Sequence, residues 1–123
     1  MNKSLVLRLS SSLLLLLQLF ACTISNFPTG TFTNLTGSYR LILQGDGQSI
    51  FMENDNIEAE GTYTFHADEL TWETDSYCDP RGFGKATYTW SFENDKLIFK
   101  VKGEDPCLDR YSALHLMPYQ LEK

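Results

Sequence analysis

The sequence predicts an all-β fold: a small antiparallel up-and-down β-barrel of about eight strands, preceded by a cleaved signal peptide. Three observations carry that expectation. Apolar and polar residues alternate with a period of two through most of the chain after residue 30. The alternating runs are separated by short polar turns, the pattern of consecutive hairpins. After Cys22 no stretch of helical length shows a 3.6-residue apolar repeat.

The N-terminus reads as an address. Lys3 and Arg8 give a basic start, residues 13–17 are an unbroken run of leucine, and Ala21 ends the segment, which is the grammar of a signal peptide over residues 1–21. Ser10, Ser11, Ser12 and Gln18 interrupt the apolar run, leaving it shorter than the about 20 residues a membrane-crossing helix needs. Leu19, Phe20, Ala21 and Cys22 resemble the lipobox of bacterial lipoproteins. That resemblance implies that Cys22 carries thioether-linked lipid with acyl chains such as palmitate, and that the protein is extracytoplasmic, held to the cell membrane. At about 0.8 kcal/mol per buried methylene, two or more chains anchor stably where one does not. Residues 22–27 are then a tether, and residues 28–123 form a single domain.

The strands follow in order. Phe32, in a segment otherwise suited to solvent, marks a short first strand over residues 30–33. Three similar runs come next, at residues 37–41, 61–65 and 85–90, each with a tyrosine (Tyr39, Tyr63, Tyr88) and a large apolar residue two places on. Each leads through a polar turn into a partner run: residues 49–52, then Leu70 and Trp72, then Leu97, Phe99 and Val101. Residues 111–117 are expected to supply the closing strand. Alternation places Tyr63, Phe65, Leu70, Trp72, Tyr88, Trp90, Phe92, Leu97, Phe99 and Val101 on one face and threonines and lysines on the other. Eight such strands suit a small closed barrel.

Charge and cysteines narrow the function. The chain carries a formal net charge of −6, and its 16 acidic residues all follow Cys22, so nucleic acid and anionic membrane surfaces are poor partners. With Cys22 lipidated, Cys78 and Cys107 remain, and in an oxidising compartment they should form a disulfide. Closing a loop of about 30 residues contributes on the order of 3.5 kcal/mol. His66 and His115 stand apart from any nucleophile or metal-ligand spacing. Asp46, Asp55 and Asp68 suit turns. The expectation is a monomeric protein that is not an enzyme and uses no metal or cofactor.

Residues 61–65, then Asp68 and Leu70, Cys78, residues 86–90, and residues 104–110 together resemble the small bacterial lipocalin-like (calycin-type) domains. The likeness covers roughly residues 28–120. It implies an eight-stranded barrel, a cysteine pair at these two places, and an arginine after the second cysteine. Strict lipocalins have G-x-W where this chain has Gly37, Ser38 and Tyr39, and residues 45–48 are too few for a lid loop. By this resemblance Arg110 is a structural residue, stacking on Tyr39 to close one end of the barrel.

Tyr39, Tyr63, Phe65, Trp72, Tyr88, Trp90 and Phe99 are the candidate ligand-lining residues, because aromatic rings with polar tips suit small amphipathic molecules. The same side chains are bulky enough to fill a barrel of this size. Two functions follow. The first is a binding module for a small apolar or amphipathic ligand. The second is an interaction protein, like the barrel inhibitors of lysozymes, meeting a basic protein partner through acidic loops at residues 53–60, 73–79 and 104–109.

Overall fold

The computed structural model describes residues 27–123. Residues 1–26, and with them the expected signal peptide, the lipobox and Cys22, lie outside the described part. The strands are β1 (Gly30–Asn34), β2 (Tyr39–Leu43), β3 (Gln48–Glu53), β4 (Asn56–His66), β5 (Glu69–Asp75), β6 (Ala86–Glu93), β7 (Lys96–Val101) and β8 (Pro118–Leu121). Each pairs antiparallel with its neighbour in sequence, and β8 pairs with β1, so the sheet closes into an eight-stranded up-and-down barrel. Closure removes the exposed edges of an open sheet.

Turn chemistry fixes the register. Asn54 and Asp55, and again Asn94 and Asp95, adopt positive φ at two-residue turns; asparagine and aspartate accept this conformation more readily than most residues, and it matches the strand twist. The stretch expected to be an acidic loop at residues 53–60 is therefore a tight hairpin, with β4 starting at Asn56. Likewise β5 continues to Asp75, shortening the expected loop at residues 73–79.

The closing strand differs from expectation. Residues 111–117 are mostly helical: α1 runs over Leu108–Leu114, and the chain then returns through β8 at Pro118–Leu121. Arg110, Ala113 and Leu114 are its buried positions, the i, i+3, i+4 set of one helix face. With seven residues, α1 spans less than two turns, too little to establish a period in sequence. Among the described residues no helix is long and apolar enough to cross a membrane.

The two ends of the barrel are not alike. At the end where β1 begins, Phe27 is 4 % exposed and packs against Tyr63, Phe65 and Trp90 with ring centroids 5.6, 5.5 and 5.0 Å away. Phe27 was expected in the tether; it is instead the plug of this end. Phe65 was expected inside, yet it is 47 % exposed. Phe65 keeps the inward face of Tyr63, since Tyr63 pairs with Trp72 and Phe65 with Leu70 in unbroken register, but it stands one residue from the end of β4, where it caps Phe27 and stays half exposed. The middle of the barrel is solid, with Phe32, Leu70, Tyr88, Leu97 and Phe99 fully buried and Trp72, Tyr88 and Phe99 packed edge to face.

Candidate functional site

The end opposite Phe27 is open. There β2 and β4 begin, β3 and β5 end, and α1 lies across one side of the rim. The seven helical residues do not cover the whole opening, and a cavity of about 230 Å³ remains. Its apolar wall is Tyr39, Leu41, Phe51, Trp72, Ala113 and Leu114. Tyr39 and Phe51 pack with centroids 5.3 Å apart, and the indole N–H of Trp72 donates to Ser49 Oγ at 3.1 Å, so the ring is fixed in place. Gly61 also lines the cavity; a Cβ there would come within 2.4 Å of the Thr74 carbonyl oxygen, so the strands can approach only without a side chain.

The rim is acidic. Glu53, Glu58, Asp75 and Asp109 line the opening, and among the described residues Arg110 is the single cation of the lining. Asp75 is fully engaged: Oδ1 accepts from the backbone N–H groups of Tyr77 at 2.9 Å and Cys78 at 3.0 Å. The Tyr77 hydroxyl donates to Asp109, which pushes that phenol above its ordinary range. The Arg81 guanidinium lies 3.8 Å over the Tyr77 ring and caps its outer side.

Arg110 does not stack on Tyr39. It is 7 % exposed, and its Nε and Nη2 donate to the two oxygens of Asp105 at 2.7 and 2.9 Å. Nη1 donates to the Gly84 carbonyl at 2.7 Å, and Nη2 also to that of Phe83 at 3.0 Å, while Asp75 lies 3.5 Å away. Burial works against the charge, but Asp105 and Asp75 outweigh it and hold the guanidinium above its ordinary range. The in-plane donors aim the guanidinium at Asp105 and the carbonyls of Phe83 and Gly84, and this network, rather than Tyr39, sets where it sits.

Beside this network the disulfide Cys78–Cys107 forms, with Cα atoms 5.9 Å apart. It ties the start of the 3₁₀ turn Asp79–Arg81 to the start of α1, fixing the helix over the rim. His115 ends α1, and its Nδ1 accepts from the Val101 backbone N–H at 3.2 Å; His66 ends β4 and is exposed. Among the described residues no group of three or more His, Cys, Asp or Glu is arranged to hold a metal ion.

Of the aromatic residues singled out from sequence, Tyr39 and Trp72 line the cavity. Tyr63, Phe65 and Trp90 pack around Phe27 at the plugged end, and Tyr88 and Phe99 form the solid layer between. Phe51 was not foreseen as a site residue, and Asp75, Tyr77 and Asp109 were expected only within acidic loops for a protein partner, not at the wall of a cavity. Their shared signal is closeness to the cysteines or to the 39–53 hairpin, and only closure of the barrel makes them neighbours. No family model, curated protein or solved structure matches this chain.

Proposed function

We propose that this protein is a lipocalin-like binding module of the cell envelope, lipid-anchored through Cys22, that takes a small amphipathic molecule into the open end of its barrel. The observation that carries the reading is the asymmetry of the barrel. One end is packed shut by Phe27, and the other keeps an aromatic-walled cavity. Its volume of about 230 Å³ falls below the roughly 300–1,000 Å³ of pockets for drug-sized ligands, so the ligand is smaller than those.

The anchor and the cavity then lie at opposite ends. Phe27 stands five positions after Cys22, a reach of at most about 18 Å. A lipid on Cys22 holds the plugged end toward the bilayer and turns the mouth away from it. The ligand therefore arrives from the aqueous side rather than from the acyl chains. A basic protein partner is the second reading, favoured by the acidic side chains Glu53, Glu58 and Asp109 on the rim.

The test follows Trp72 fluorescence in a Trp90→Phe variant, where the second tryptophan no longer contributes. The Trp90 indole N–H is buried without an acceptor among the described residues, so phenylalanine there forfeits no hydrogen bond. Titration with hexan-1-ol, hexylammonium chloride and sodium hexanoate should give a saturable change with at least one of them. Ala59→Phe, which fills the cavity from its wall, should abolish that change. No saturable response to any of the three would overturn the reading.

A further inference from the structure

We infer that the molecule taken up by the open end is an organic cation: an ammonium or similar group at the rim, on a short apolar body held between Tyr39, Phe51 and Trp72. The inference rests on the binding-module reading and deepens it. It starts from how charge is distributed around the barrel. Several acidic side chains outside the cavity lining have basic partners: Glu122 and Asp55 have Arg40, Glu73 has Lys85, Glu69 has Lys102 and Asp95 has Lys123. Among the described residues, only Asp75 of the acids that line the cavity has a basic side chain within ion-pair distance, that of Arg110. Glu53 and Glu58 are exposed and meet no basic side chain among the described residues, and Asp109 is held by the neutral hydroxyl of Tyr77.

Arg110 does not reverse this balance. Its donors are directed at Asp105 and at the carbonyls of Phe83 and Gly84, with Asp75 beside them, so it has no free fork to offer an anionic ligand. Asp105 and Asp75 together outweigh it by one charge. The lining as a whole is therefore negative around an apolar floor. Field lines concentrate in a cleft with low-dielectric walls, and aromatic rings add a further attraction for a cation that a neutral or anionic head would not gain. An anionic amphiphile of the same length would bring its carboxylate against Glu53, Glu58 and Asp109.

The three hexyl probes share one apolar body and differ in the charge of the head, so their ranking reads the inference directly. In the Trp90→Phe protein at low salt, hexylammonium should bind at least about tenfold more tightly than hexan-1-ol, and hexanoate more weakly than both. Raising the ionic strength from about 0.02 to 0.5 M should erode the ammonium preference several-fold and leave the alcohol unchanged. The double variant Glu53→Gln/Glu58→Gln should lower hexylammonium affinity about three- to tenfold with little effect on hexan-1-ol; both side chains are exposed and outside the buried network, so the fold is kept.

Equal or tighter binding of hexan-1-ol or hexanoate overturns the inference while the binding-module reading stands. Absence of binding by all three probes overturns both. Saturable binding of a basic protein such as lysozyme, weakened by the double variant while the hexyl probes stay silent, also overturns both and assigns the acidic rim to a protein partner.

Discussion

Arg110 and Asp105 form a buried two-point ion pair, with Nε to Oδ2 at 2.7 Å and Nη2 to Oδ1 at 2.9 Å. They flank Cys107 in the chain, and Asp105 also accepts the hydroxyl of Tyr88 and, at 3.0 Å, the backbone N–H of Cys107. One carboxylate thus joins the barrel wall, the disulfide and α1. Removing Arg110 would leave a buried anion and two carbonyls without their donor. Arg110→Ala should lower unfolding free energy by about 3–5 kcal/mol, and the Arg110→Ala/Asp105→Ala pair should lose clearly less than the sum of the single variants. Urea melts of the four proteins decide it. Additive losses would mean that the pair contributes no coupling.

The disulfide closes a span of 29 residues in sequence. In the chain-entropy model that constraint is worth about 3.5 kcal/mol. Cys78→Ser/Cys107→Ser should lower the thermal midpoint by more than about 10 °C, since 1 kcal/mol shifts a domain of this size by roughly 4–8 °C. Adding reductant to the parent protein should reproduce the shift, and adding it to the variant should do nothing.

Three buried tyrosines set the response to alkali. Burial, reinforced by the hydrogen bond to Asp105, raises Tyr88 far above the ordinary phenol range; burial raises Tyr119 likewise, and burial with Asp46 nearby raises Tyr63. A raised folded-state pKa means that the native protein holds its proton where the unfolded chain has released it. Stability from these groups is therefore full below about pH 10 and falls as pH rises beyond it. Denaturant melts should show little of this dependence between pH 7 and 9 and a steep fall above 10. In ultraviolet titration of the native protein up to pH 11, Tyr88→Phe should leave the phenolate signal unchanged.

Phe27 predicts where the folded domain starts. Its ring packs on Tyr63, Phe65 and Trp90, so Phe27→Ala should cost about 3–5 kcal/mol. A chain beginning at Thr29 should show the same loss, and one beginning at Phe27 should not. If all three melt alike, the plug is not part of the cooperative unit.

The anchor has its own measurement. A protein expressed from residue 1 in a bacterial host should partition into the detergent phase of a cloud-point separation and incorporate labelled palmitate. Cys22→Ser should move it to the aqueous phase. Aqueous partitioning of the parent protein would remove the membrane from the reading while leaving the cavity untouched.

Alternation, turn residues and strand count determined by themselves that the chain is all-β and closes as an eight-stranded antiparallel barrel, because a period of two and paired Asn-Asp turns act over a few residues. The sequence also singled out Cys78 and Cys107 as the disulfide pair. It did not determine α1, since a helix of seven residues carries too few turns to set a period, nor the exposure of Phe65, which keeps the inward face of Tyr63 but stands at the rim, one residue before the end of β4. It named Tyr39 and Trp72 among seven aromatic residues but had no means to separate them from the five that fill the plug and the core. Tertiary structure alone decided that separation. Which end of the barrel a side chain faces depends on strand register and closure, and the same closure brings Glu53 and Glu58 of one hairpin, Asp75 and Asp109, from three separate stretches of chain, around one opening.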